Sequence, residues 1–164
     1  MRLIREEPNR TANVRFAKVR AGQGGSILTA GKDYIGVGVG AVVIREDRIL
    51  LLLRKKAPEA GCWSIPGGKV EFLETCEDAL LRELREETGL EGRIEALLGV
   101  TNHILFSEQA HFVAPSYLVT ADGEPENREA ESHGGIGWFP LEDLPENITM
   151  TTQCALEAYK RYIS

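Results

Sequence analysis

Hydrophobic residues along this chain fall into two spacings. IGVGVGAVVI (35–44) and RILLLLR (48–54) are strand-forming runs parted by the polar turn Arg45-Glu46-Asp47, and they predict a β-hairpin. A polar loop, KKAPEAGCW, leads through Ser64-Ile65-Pro66 into a glycine turn at 67–68. From Thr75 the spacing becomes helical. Thr75-Cys76-Glu77-Asp78 has the form of a capping box, with Thr75 as N-cap and Asp78 in place of the usual Glu. The helix is expected to run to about Glu87, with Gly89 placed to stop it. RIEALLGVTNHILF (93–106) and HFVAPSYLVT (111–120) predict two long strands joined by Ser-Glu-Gln-Ala. A polar loop over 121–135 precedes the strand-like IGWF, and a last helix is expected over 151–162. This order, β-β-β-α-β-β-loop-β-α, predicts an α+β fold or an α/β/α sandwich around a mixed sheet. Residues 1–34 lack sustained periodicity and are expected to form an N-terminal extension with a short strand near Val14 to Val19. The domain proper is expected over 35–164.

Composition narrows the class. At 164 residues, 43% hydrophobic and 27% charged, the chain suits one folded domain with a real core. A net charge of −6 argues against a duplex nucleic-acid partner, which wants a basic face. It leaves room for a small phosphorylated ligand whose charge a metal neutralises. The three cysteines, Cys62, Cys76 and Cys154, cannot all pair within the chain, which suits a reducing compartment. The start, MRLIREEPNR, has no apolar core of a secretory signal, and no apolar run is long enough to span a bilayer. A cytoplasmic protein with no membrane partner is expected, and the sequence leaves a homodimer open.

Gly36-Val-Gly38-Val-Gly40-Ala41 fits the dinucleotide fingerprint GxGxxA. That motif needs a helix opening at the glycines, whereas here a second strand follows. The glycines are better read as permitting close strand packing.

The segment GGKVEFLETCEDALLRELREETGL (67–90) crowds its acids. At 100° per residue, Glu83, Glu86 and Glu87 fan over roughly 100° of helix surface. Leu80, Leu81 and Leu84 form the adjoining buried stripe, and Arg82 and Arg85 are expected on the most exposed side. Pairs such as Asp78–Arg82 and Arg82–Glu86 dilute the charge, each by only about 0.2–0.5 kcal/mol. Glu83 and Glu87, four apart and alike in sign, remain unfavourable unless a cation lies between them. Hard divalent ions bind such carboxylate sets and share them with substrate phosphates.

The spacing is sharper than the charge. Gly68, five residues, Glu74, seven residues, and then Arg82-Glu83-Leu84-Arg85-Glu86-Glu87-Thr88-Gly89-Leu90 match every fixed position of GX5EX7REUXEEXGU, the Nudix box. The chain resembles the Nudix hydrolases, and over about residues 36–145 it is similar to their MutT-like nucleoside triphosphate pyrophosphatases. The resemblance implies a mixed-sheet sandwich with the box as loop–helix–loop, and Mg2+ or Mn2+ as cofactor. It implies a small nucleotide substrate, cleaved from triphosphate to monophosphate and pyrophosphate in the service of nucleotide-pool cleaning.

Carried onto matching positions, Glu83, Glu86 and Glu87 would be metal ligands, Gly67 would offer its carbonyl, and Arg82 would orient Glu83. Gly68, Glu74 and Gly89 support the motif, although Leu73 replaces the glycine that commonly precedes Glu74. Glu131, in the loop before Gly-Trp-Phe, is a candidate general base alongside the box glutamates. Lys69 and Arg54 are candidates for the phosphates. Asn102, His103, His111, Phe112 and Trp138 are candidates for reading a base, Asn102 by its amide. The alternatives are ADP-ribose or another nucleoside diphosphate derivative as substrate, or a catalytically silent nucleotide sensor. The first proline after the box, Pro115, lies too far along for the usual ADP-ribose marker, and no box carboxylate is lost to suggest a silent sensor.

Overall fold

The computed structural model describes residues 28–164. The strand expected near Val14 to Val19 lies outside them. Nine elements follow in order: β1 (Gly36–Arg45), β2 (Arg48–Arg54), β3 (Trp63–Ser64), β4 (Gly67–Lys69), α1 (Cys76–Thr88), β5 (Glu91–Leu105), β6 (Ala110–Asp122), β7 (His133–Pro140) and α2 (Met150–Ile163). β1 and β2 form the expected hairpin. Glu46 and Asp47 both take positive φ, 49° and 58°, which matches the twist of a two-residue turn.

The sheet is mixed, ordered β3-β2-β1-β6-β5, with β1 and β6 parallel and its other pairings antiparallel. β2 pairs with β1 only at Ile44–Ile49 and Arg45–Arg48, then runs antiparallel to β7 along its length. The edge of β1 that β2 leaves free is taken by β4, which pairs Gly38 with Lys69 and Gly40 with Gly67. Gly67 and Gly68 therefore lie in a strand, not in the turn that glycines suggest. Gly40 is small for a packing reason: a Cβ there would lie 2.5 Å from Cδ1 of Ile65.

Alternation along β1 sends its side chains to two cores. Val39, Ala41 and Val43 pack with Ala79, Leu80 and Leu84 of α1, while Val42 packs with Ile49, Leu51, Ala155 and Leu156, the last two from α2. The result is the expected α/β/α sandwich around a mixed sheet. Leu80 and Leu84 are fully buried, each contributing about 1.5–3 kcal/mol toward holding α1 on the sheet.

Residues 28–34, expected as the end of the extension, dock on the sheet. Gly31 accepts the His111 N–H at 2.9 Å and lies so close to Phe112 that a Cβ would overlap its ring. Among the described residues, no helix is long and apolar enough to cross a membrane.

Candidate active site

Helix α1 carries the acids and its caps fix its ends. Thr75 accepts the Asp78 N–H, as a capping box requires, while the Asp78 carboxylate takes the Thr75 hydroxyl at 2.8 Å. Gly89 closes the helix in the left-handed conformation, φ 75°. Leu73 also lies in that region, at φ 69°, where the glycine usual at this place would sit without strain.

Arg82 departs from the helical wheel. Its guanidinium folds back over the acids rather than reaching into solvent, because four acceptors surround it. Nε and Nη2 donate to the two oxygens of Glu74, each at 2.8 Å, and Nη1 donates to Glu83 at 2.7 Å and Glu86 at 3.2 Å. Nη2 also donates to the Lys69 carbonyl at 3.1 Å, tying α1 to β4. Arg85 alone takes the exposed side. The Arg82 bond and the Glu71 N–H hold the Glu74 carboxyl down at about 2, so Glu74 is the fixed anchor of Arg82.

Glu83 lies against Gly68, where a Cβ would come within 2.3 Å of its Cδ. Burial raises its pKa, Arg82 opposes that rise, and Glu86 and Glu129 add to it. Glu87 is only 5% exposed. It accepts the Gly67 N–H at 2.9 Å, so the contact seen between Gly67 and the acids runs through its amide. Burial, joined by the charges of Glu83 and Glu129, pushes Glu87 well above the ordinary carboxylate range.

The loop after β6 brings a fourth acid. The N–H groups of Glu126 and Arg128 bond the Thr88 and Glu87 carbonyls at 2.9 and 3.0 Å, capping orphan acceptors of α1. Glu129 follows at once and faces the acids. Ligand atoms of Glu87, Glu129 and His133 lie within 4.8 Å of one another. Glu131, a candidate base alongside the box glutamates, is exposed and outside this cluster, because the chain turns between Glu129 and His133, whose N–H bonds the Glu129 carbonyl. Sequence reasoning missed Glu129 and His133; the only signal was four acids in one loop, which does not say which of them turns inward.

The residues fit a divalent cation. Their carboxylates converge, with the charges of Glu83 and Glu129 both acting on buried Glu87. Buried His133 places Nε2 3.4 Å from Glu87, and its Nδ1 has no partner. Burial, with Arg54 and Lys56, lowers its pKa and keeps the imidazole neutral, the form that binds metals.

Beside the acids, on the other side of β4, opens a cleft of about 350 Å³. Gly67, Gly68, Lys69 and Arg54 line it, together with Glu59 of the loop between β2 and β3, His103 of β5 and Phe112 of β6. Arg54 donates to the Pro58 carbonyl at 2.9 Å, and its charge is felt by both Glu59 and Glu87. Lys69 Nζ lies 5.7 Å from the Phe112 ring centre.

Asn102 is not in the cleft. Alternation on β5 slips at the bulge near Leu97 and Gly99, so Thr101 and His103 turn inward and Asn102 faces solvent. His111 does not line the cleft, and Trp138 packs on the core beneath Arg45, 4.7 Å from its ring centre.

The NUDIX domain family profile matches residues 35–162. The chain belongs to the Nudix family. A MutT Nudix hydrolase from Burkholderia pseudomallei shares this Nudix fold with a TM-score of 0.72 and 48% identity, covering 75% of this chain and 96% of that one. An ADP-ribose pyrophosphatase from Methanocaldococcus jannaschii is 34% identical over 110 residues, 67% of this chain and 64% of that protein. A putative 8-oxo-dGTP diphosphatase from Bacillus subtilis is 28% identical over 108 residues, 66% of this chain and 68% of that protein. The chain thus spans about two-thirds of the length of these curated relatives, and it stands with the MutT-like members of the Nudix family.

Proposed function

We propose that this protein is a divalent-metal-dependent pyrophosphohydrolase that converts nucleoside triphosphates, canonical or damaged, to monophosphate and pyrophosphate. One observation carries this reading: Glu83, Glu86, Glu87 and Glu129 gather beside β4, whose Gly67, Gly68 and Lys69 line a cleft together with Arg54. The 48% identity to a MutT Nudix hydrolase supports it.

Glu83, Glu86 and Glu87 of the box, joined by His133, would hold the cation, with Glu129 beside it. Mg2+ or Mn2+ bound there supplies charge neutralisation to the pyrophosphate and acidity to an attacking water. The chain's own groups do the rest. Arg54 and Lys69 pair with phosphate oxygens and draw the substrate's charge toward the acids. Arg82, fixed by Glu74, holds Glu83 in place. Glu129 takes the proton of the attacking water, a role that its loop position suits better than that of exposed Glu131.

The 34% identity to a protein named ADP-ribose pyrophosphatase favours a second reading, in which the same site cleaves a nucleoside diphosphate derivative. The test is incubation with Mg2+ and canonical triphosphates, oxidised triphosphates, ADP-ribose or nucleotide sugars, with products followed by phosphorus NMR and Glu86→Gln as control. Pyrophosphate from a triphosphate, lost in the variant, supports the first reading. Turnover confined to ADP-ribose or a sugar nucleotide replaces it with the second. Tight binding without turnover leaves a silent sensor.

A further inference from the structure

Glu59 and His103 form a polar pair in the cleft that the acidic site does not use. Glu59 sits in the β2–β3 loop with its side chain only 15% exposed, and His103 sits on β5 at 10%. The His103 Nε2 lies 2.9 Å from Glu59 Oε2. The other oxygen, Oε1, accepts the Met150 N–H at 2.8 Å, and the Glu59 N–H donates to Glu108. His103 on β5 and Met150 on α2, both distant in sequence, thus fix the carboxylate, and Glu108 fixes the backbone beneath it. Burial works against its charge, but His103 and the Met150 bond outweigh this and hold Glu59 below the ordinary value. A carboxylate has about four acceptor sites; the Met150 N–H fills one, and His103 Nε2 lies against a second outside hydrogen-bond geometry, so acceptor capacity remains.

Beside the pair lies Phe112, its ring 6.5 Å from that of His103 and seated where only glycine fits at positions 31 and 36. All three side chains line the cleft together with Arg54, whose charge acts on both Glu59 and Glu87. The cleft thus carries two cations, an aromatic face and a fixed acceptor, and Glu83 and Glu87 adjoin it through Gly68 and Gly67 of β4. That set of charges and surfaces suits a nucleotide laid with its phosphates toward β4.

The geometry points to Glu59, positioned by His103, as the group that selects the base: it accepts a hydrogen bond from an exocyclic amino group while the base lies on Phe112. The assignment rests on the nucleotide reading of the cleft and deepens it. Cytosine and adenine offer such an amino group. Uracil and hypoxanthine present a carbonyl oxygen at the same position, and this would face the carboxylate without a proton between them. A buried acceptor left facing another acceptor is costly, which makes the selection strong. One good base contact of this kind discriminates by about 5- to 150-fold.

The test compares pairs that differ only in that group, CTP with UTP and ATP with ITP. The ratio of kcat/KM is measured for the wild type, Glu59→Gln and His103→Gln. Alongside, the binding of CMP and UMP to the wild type is measured by calorimetry, which does not depend on turnover. The wild type is expected to favour the amino member of each pair by about tenfold or more. Glu59→Gln, whose amide offers both a donor and an acceptor, is expected to bring the ratio toward one chiefly by improving UTP. His103→Gln is expected to shrink the ratio less. Equal use of both members, together with equal binding of CMP and UMP, overturns the assignment. If no triphosphate is turned over but CMP still binds at least tenfold more tightly than UMP, the reaction proposed above fails and the base assignment stands. Should Glu59→Gln not fold, the wild-type ratio and the two monophosphate affinities decide alone.

Discussion

Replacing Gly68 by alanine adds one methyl group to the strand that covers the acids, and its consequence can be worked from distances. The new Cβ would lie 2.3 Å from Cδ of Glu83 and 2.4 and 2.5 Å from its two oxygens. Non-bonded carbon atoms settle at about 3.5–4.0 Å, so the carboxylate or the strand must yield by more than about 1 Å. Neither is free to do so. Glu83 is held by Arg82 at 2.7 Å, and Gly68 is paired with Val39 in β1. Overpacking of this kind costs about 1–3 kcal/mol. For a domain of this size, that lowers Tm by about 2–12 °C. A displacement near 1 Å at a reacting centre costs about 100-fold in rate, so kcat is expected to fall by that order. The assay is thermal unfolding and Mg2+-supported nucleotide hydrolysis of Gly68→Ala beside Gly68→Ala/Glu83→Ala. The double variant removes the clashing carboxylate and is expected to regain most of the lost Tm while remaining inactive. Gly68→Ala with wild-type Tm and kcat within about twofold would refute the claim that this glycine exists to seat Glu83.

Other outcomes follow from the same geometry. Glu129→Gln is expected to lower kcat by about 100-fold or more, as loss of a general base does, while Glu131→Gln stays within about twofold; reversal of the two in steady-state kinetics would return the role to Glu131. The folded protein holds Glu87 and Glu83 above their ordinary 4.5, so the stability linked to their protonation is present at low pH and is lost as pH rises through the folded values. Metal-free protein is therefore expected to lose Tm as pH rises above the ordinary carboxylate range, with a flatter slope in Glu87→Gln, and added Mg2+ is expected to raise Tm more at the alkaline end of that rise than at the acid end. Glu74 and Glu59, held low, act the other way only under more acid conditions, and His133, also held low, acts the other way as pH falls below its ordinary 6.5, so the slope is read above that value. Leu73→Gly relieves a left-handed leucine that is 78% exposed, and denaturant unfolding is expected to show a gain of about 1 kcal/mol.

Most of the scaffold was legible because its signals are local. The hairpin, the capped helix and the two long strands each carry their own pattern and punctuation, and the box adds fixed spacing that names its glutamates. What was not legible depends on neighbours. Arg82 belongs to the solvent face on a bare wheel, yet Glu74, Glu83, Glu86 and the Lys69 carbonyl draw it back. The glycine pair looks like a turn until β1 is seen to lack a partner there. Asn102 and His103 are equal candidates for reading a base from residue type alone, and one slip of alternation on β5 turns Asn102 out and His103 in. Glu129 is selected over its acidic neighbours only because Glu126 and Arg128 cap α1 through the backbone. Glu59 had no local signal, since its partners Met150 and His103 are far away in sequence.

The central claim is that the crowded carboxylates form a cation site. Mn2+ titration, with free ion read by electron paramagnetic resonance, tests this without any substrate. Wild-type protein is expected to bind Mn2+ at pH 7.5, about tenfold or more tightly than either Glu87→Gln or Glu86→Gln. Equal binding by all three proteins, or none by the folded wild type, would contradict the account.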